Sequence, residues 1–247
     1  MNIAALALPA LCLALAGCHV HLDDPQELAT LAGVAPPAFT ALPSTQAPDC
    51  SVVLYGDSIL NGAYVDHDRF MRHPRNPAAE LKARRPAWRI DDRTQPGQSL
   101  AKLAQGFRTD PRAARVVVIG SGIAEGWAGE TVLHNLPWMV HTVRYEGRIP
   151  VLTGYARQLP NAFMTPDKTA GRDLVDDEVD QLAEDMKVEF ADIGEAGPVA
   201  LSDDVHPTSE YSLRLTDRLV AALDRVAPEC SQRPAARATP PPPRAPA

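Results

Sequence analysis

The sequence predicts an α/β protein built on an open, three-layer, doubly wound parallel sheet. Two observations carry that expectation. Ser51–Gly56 (SVVLYG), Arg115–Gly120 (RVVVIG) and Arg148–Gly154 (RIPVLTG) are short aliphatic and β-branched runs ending in Gly, the pattern of strands buried on both faces. Helix-period stretches lie between and after them, and such alternation places helices on both faces of a parallel sheet, with ligands beyond the carboxyl ends of its strands.

The elements follow in chain order. Ser51–Gly56 is the first strand, and Asn76-Pro77 is an N-cap and first-turn pair that opens a helix running to Arg84. A second strand is expected near Trp88–Asp91, and Ser99 opens a helix with Leu100, Leu103, Ala104 and Phe107 at helical spacing. Arg115–Gly120 and Arg148–Gly154 are the third and fourth strands. Tyr155–Arg172, with Pro160, Asn161, Phe163, Met164 and Pro166, reads as a long irregular stretch, either a lid or substrate wall or a surface excursion. Asp173–Phe190 sets Leu174, Val175, Val179, Leu182, Met186 and Phe190 on one helix face, under a solvated acidic face with Asp176–Glu178, Glu184 and Asp185. Pro198–Leu201 reads as a last strand, and Thr208 opens a terminal helix through Leu213, Leu215, Leu219, Val220 and Leu223. No internal repeat is visible.

The 247 residues suit one generous domain or two small ones, and a 45% hydrophobic share excludes a disordered chain. With 31 Asp and Glu against 24 Lys and Arg, the net charge is −7, and there are only 5 Phe, 5 Tyr and 3 Trp. Neither phosphate neutralisation nor base stacking has a surface, so nucleic acid is excluded as a partner. The 24 prolines concentrate near the ends, which implies stiff flanks around a packed middle.

Ile3–Gly17 is an uncharged apolar run, too short and too broken by Pro9 to span a bilayer, and residues 1–17 read as a signal peptide. It ends in Leu15-Ala16-Gly17-Cys18, which resembles a bacterial lipobox. The resemblance implies acylation of Cys18 and anchoring in the cell envelope, with His19 permitting the outer membrane, periplasmic side. An ordinary secretory signal delivering the chain to the periplasm is the other reading. After export Cys50 and Cys230 remain as a pair in an oxidising compartment and are expected to be bridged. Chain entropy credits so long a closed loop with up to about 5 kcal/mol. Residues 18–48, with Pro36, Pro37, Pro43 and Pro48, read as a linker, and 231–247, with Pro240–Pro243, as a Pro/Ala-rich tail. The domain is therefore 49–230, expected as a monomer.

The reactive residue types fall at the ends of the expected strands. Ser58 follows the first strand at the start of a helix, where free backbone N–H groups converge. Asp203-Asp204-Val205-His206-Pro207 precedes the terminal helix. An Asp three residues before a His can fold back, accept the ring's Nδ1–H and leave Nε2 to take a proton from serine. Asp203 and Asp204 compete for that role; Asp57 is a structural hydrogen-bonding residue, and Pro207 keeps His206 out of the α region.

These blocks resemble those of the SGNH or GDSL hydrolases. Gly56-Asp57-Ser58 with Ile59 is similar to the family's first block, Asp203-x-x-His206 with Pro207 to its last, and Gly97 in Thr94–Ser99 to the glycine of its second. The resemblance selects Asp203 over Asp204. It implies a flavodoxin-like fold and a serine acyl hydrolase with Ser58, Asp203 and His206 as catalytic residues, the amides of Ser58 and Gly97 in the oxyanion hole, and no metal or cofactor. The third block departs: Gly120-Ser121-Gly122-Ile123 stands where Gly-x-Asn-Asp is usual. Losing such an Asn donor costs on the order of 3 kcal/mol of transition-state stabilisation unless another group fills in. Ser121, the Gly122 N–H, Asn61 and Asn161 are the candidates. Carboxylic esters, thioesters and O-acetyl groups on carbohydrate or lipid all suit the plan, as does acyl transfer. The alternative from another class is a binding module of the cell envelope that keeps the fold without efficient chemistry. Asp66-His67-Asp68 with His73, and His134 with His141 across Pro137, read as ordinary histidines with their neighbours, not as metal ligands.

Overall fold

A computed structural model of the chain describes residues 49–231. The expected export segment 1–17, Cys18 and its lipid, the linker to residue 48 and the tail beyond Ser231 lie outside the described residues.

Five parallel strands form one sheet: β1 (Ser51–Gly56), β4 (Arg89–Asp92), β5 (Val116–Gly120), β6 (Ile149–Thr153) and β7 (Glu189–Ala191), in the order β4-β1-β5-β6-β7. The sheet is doubly wound, because alternate residues of its buried strands enter two different cores. Val52, Leu54, Val116, Val118 and Val151 face helices α2 (Pro77–Arg84) and α7 (Ser209–Val226) through Leu81, Leu215, Leu219 and Leu223. Val53, Tyr55, Val117, Ile119 and Leu152 face α3 (Leu100–Phe107), α5 (Leu136–Tyr145) and α6 (Pro166–Met186) through Phe107, Met139, Val143, Val175 and Val179. The chain reverses its direction of travel across the sheet between β1 and β5, which opens a crevice at the carboxyl ends of those strands.

The helix starts follow the sequence. Asn76 Oδ1 accepts from Ala79 N–H above Pro77, Ser99 accepts from Lys102 N–H, and Thr208 accepts from Tyr211 N–H. Cys50 and Cys230 form a disulfide that joins the start of β1 to the turn after α7.

Four expectations need correction. Pro198–Leu201 is not a strand and makes only an isolated bridge between Leu201 and Pro207. The fifth strand is β7, which lies inside the expected helix Asp173–Phe190: Lys187 turns left-handed at φ 51° and ends α6, and Phe190 pairs with Leu152. That helix also starts earlier, because Thr165-Pro166 is a cap and first-turn pair, so the irregular stretch shortens to residues 154–165. Pro137 opens α5 rather than interrupting it, since a proline in the first turn removes no intrahelical bond. Helix α5 itself was not expected, and neither were a short helix α4 (Ile123–Ala128) and an antiparallel hairpin of β2 (Ala63–Asp66) and β3 (Arg69–Arg72) following α1 (Ser58–Asn61).

Candidate active site

Ser58 is the first residue of α1, directly past β1. Asp57 caps that helix through Oδ1, which accepts from Ile59 N–H at 2.9 Å. Both side chains are buried at the crevice. The loop 202–207 arrives from the far end of the chain and is closed on itself by Ser202 N–H donating to the His206 carbonyl. It brings His206 Nε2 to 3.0 Å from Ser58 Oγ. On the other side of the ring, Nδ1 lies 2.9 Å from Asp203 Oδ2 and 3.0 Å from Oδ1. A carboxylate only accepts, so Nδ1 carries the ring proton and Nε2 is left to accept from the serine hydroxyl.

Asp203 is held by more than the imidazole. Oδ1 accepts from the amides of Val205 and His206, each at 2.8 Å, and Oδ2 from Val65 N–H at 2.7 Å. Burial pushes this carboxyl up, and those amides with the neighbouring imidazole outweigh it and hold it below its usual range. Asp204 is exposed, and its carbonyl accepts from Asn161 Nδ2 at 2.7 Å.

Gly97 sits at φ +70° in the turn after β4, a conformation that favours glycine. Its loop is anchored by Gln95 N–H donating to the Gly56 carbonyl at 2.9 Å. The amides of Ser58, Gly97 and Gly122 make no hydrogen bond among the described residues. Three of the four candidates for the missing Asn donor are committed elsewhere. Asn61 Nδ2 donates to Thr94 Oγ1 at 2.9 Å, supporting the Gly97 loop, and Asn161 Nδ2 donates to Asp204 and Leu159 carbonyls. The Ser121 hydroxyl donates to the Gln98 carbonyl at 3.3 Å. Gly122 itself has φ +145°, and a side chain there would run into the Tyr155 hydroxyl and come within 2.7 Å of Val132. Tyr155 Oη donates to the Ser121 carbonyl at 3.1 Å, and burial pushes its phenol well up. The phenol therefore occupies the direction an Asn side chain would take, and the Gly122 N–H is the candidate that stays uncommitted.

The hairpin is the part of the site that the sequence reading did not find. Phe70 meets the His206 ring edge-on, with centroids 5.7 Å apart, and the Val65 amide is one of the donors to Asp203. Its turn residues His67 and Asp68 take φ 48° and 60° without the Asn-Gly or Asp-Gly pair that normally announces such a turn. Residues 154–165 support the opposite side: Gln158 Nε2 donates to the Val205 carbonyl at 3.3 Å. Four other histidines lie among the described residues. His67 pairs with Asp66 at the exposed turn, His73 stacks on Tyr64, and His134 and His141 are exposed. No cluster of three metal-ligating side chains forms among the described residues.

Solved structures share this arrangement of sheet and helices. Est24, a carbohydrate acetylesterase from Sinorhizobium meliloti, superimposes with a TM-score of 0.61 at 17% identity, covering 72% of this chain and 98% of that one. Axe2, an acetylxylan esterase from Geobacillus stearothermophilus, gives 0.56 at 18% identity over 70% and 93% of the two chains. A GDSL-like lipase from Bacteroides thetaiotaomicron gives 0.53 at 18% over 81% and 97%. The fold is that of the GDSL/SGNH hydrolases. No protein-family model matches the sequence, and no curated protein does either. At these identities it is the SGNH fold that is shared. Ser58 and Gly97 stand at the carboxyl ends of β1 and β4 of that fold, where doubly wound sheets bind their ligands.

Proposed function

We propose that this protein is an exported serine ester hydrolase. The observation that carries the reading is the unbroken chain of contacts from Ser58 Oγ through His206 to Asp203, at 3.0 and 2.9 Å, beside three uncommitted amides. Ser58 Oγ attacks an ester carbonyl while His206 Nε2 takes its proton, and Asp203 stabilises the imidazolium and fixes its orientation. The amides of Ser58 and Gly97, with that of Gly122 in the place of the family's Asn, receive the developing oxyanion. His206 then protonates the departing alcohol, and water releases the acyl group by the reverse sequence. Carboxylic esters, thioesters and O-acetyl groups are the substrate classes. The acetyl esterases named among the structural neighbours make the acetyl group the first acyl class to try.

Export, acylation at Cys18 and a place in the cell envelope belong to the same proposal and rest on residues 1–18. The absent Asn favours the second reading, a binding module that keeps the fold without turnover. Hydrolysis of p-nitrophenyl acetate through octanoate decides between them. Wild type should turn over at least one ester, and Ser58→Ala and His206→Ala should each lose at least roughly a thousandfold in kcat. Background rates in all three, with no fluorophosphonate labelling of Ser58, would leave the binding module.

A further inference from the structure

Resting on the esterase reading, we propose that the β2–β3 hairpin is the alcohol subsite, with Phe70 as its specificity-determining residue for an apolar, aryl or alkyl leaving group. Val65 and Phe70 are directly paired across the two strands and so share one face of the hairpin. That face is turned to the site: Phe70 stands edge-on to His206, and its Cε2 lies 3.8 Å from where a β-carbon on Gly97 would be. Phe70 thus spans the two groups that bracket a tetrahedral intermediate. On the esterase reading the carbonyl oxygen lies at the Gly97 amide and the leaving oxygen at His206 Nε2, so a ring standing between the His206 ring and the Gly97 turn borders the alcohol.

The exposure of this face points to a ligand. Phe70 is 52% exposed and Val65 37%, although Phe70 packs against His206 and the Val65 amide donates to Asp203. A pair of apolar side chains left open beside a nucleophile is a surface waiting for apolar contact. Two strands alone are marginally stable, and here they are held by contacts that fix them to the site. Val65 N–H donates to Asp203, Arg72 Nε donates to the Asn61 carbonyl at 2.7 Å, and His73 Nε2 donates to the Pro207 carbonyl at 3.1 Å. The hairpin is therefore tied to the elements that carry Ser58, Asp203 and His206.

The test compares phenyl acetate with ethyl acetate, which share an acyl group and differ in the alcohol, and p-nitrophenyl acetate with p-nitrophenyl octanoate, which differ in the acyl group. In Phe70→Ala the phenyl-to-ethyl ratio of kcat/KM should fall roughly tenfold, with most of the loss in KM, because an apolar contact of side-chain size is removed. Phe70→Leu should recover most of it. Circular dichroism checks that both variants fold. An unchanged phenyl-to-ethyl ratio in folded Phe70→Ala overturns the alcohol subsite, as does a change confined to the acetate-to-octanoate ratio, which would place Phe70 on the acyl side. A wild type that hydrolyses none of the four esters and is not labelled by fluorophosphonate overturns the esterase reading itself, and this inference with it.

Discussion

Asp57 is buried next to the nucleophile, with Oδ1 on the Ile59 amide and Oδ2 without a partner among the described residues. Burial pushes its carboxyl from 3.8 up to about 7, with the nearby Glu125 adding to the shift. Between about pH 4 and pH 7 the folded chain keeps a proton that the unfolded chain has released, so stability falls as pH rises through that window. One such group contributes up to about 1.4 kcal/mol per pH unit. Asp176, expected on a solvated helix face, instead accepts from the Tyr155 amide at 2.8 Å, and burial pushes it up to about 6, so it acts in the same direction. Asp203 has the opposite sign: its lowered pKa contributes stability that is lost only as pH falls through the acid range. Asp57→Asn keeps the capping oxygen and removes the titration. Urea unfolding at pH 5 and pH 7.5 should show wild type losing stability with rising pH and the variant losing clearly less; equal losses would put the titration elsewhere. The three candidate catalytic residues were legible because each lies in a short local pattern, Gly-Asp-Ser after a strand and Asp-x-x-His before a helix. Which of the four candidates for the absent Asn's place stays uncommitted was not, because that turns on spatial neighbours such as Tyr155 Oη, and nothing near Gly122 in the chain records them.

Helices α4 and α6 cross at Gly126 and Gly171, where the two backbones touch. A β-carbon on Gly126 would lie 2.6 Å from the Gly171 carbonyl oxygen, and one on Gly171 would meet Gly126 in the same way. This close approach seats Trp127 of α4 against Phe163, with ring centroids 5.4 Å apart, and so positions the segment 154–165 that braces the His206 loop. Gly171→Ala should force the helices apart and cost about 1–3 kcal/mol. Gly106→Ala is the control, since a methyl group there meets nothing within 4 Å and helix propensity should stabilise α3 by up to about 1 kcal/mol. Thermal unfolding of both proteins checks the pair of signs. Elements with strong local signals were read correctly: β1, α2 and α3 begin where a buried β-branched run, Asn-Pro and Ser place them. Those that depend on partners were not. Glu189-Phe190-Ala191 is a strand because an exposed edge of β6 lies beside it, and its three residues continue the helical pattern that precedes them.

At the scale of the molecule, the Cys50–Cys230 bond closes a loop spanning 180 residues, nearly the whole of the described unit. Reduction, or the double substitution Cys50→Ala with Cys230→Ala, should lower unfolding stability by about 2–5 kcal/mol. Urea midpoints measured with and without reductant check this: wild type should shift on reduction, and the double variant should not. The bond lies in the core cluster under β1 and α7, so the loss should appear as earlier unfolding of the whole unit rather than of one edge. The sheet order was legible only as a class, because alternating strands and helices imply parallel pairing while the position of each strand depends on which faces the helices cover. The disulfide also fixes where the chain enters and leaves this unit. Residues 50 and 230 have Cα atoms 5.5 Å apart at the start of β1, and Ser58 lies past the other end of that strand, about 20 Å away. Coupling the described unit to a bead or an electrode at residue 49 or 231 would therefore hold it by the pole opposite the crevice. The crevice would then face outward, within reach of a polymer too large to pass between the protein and its support.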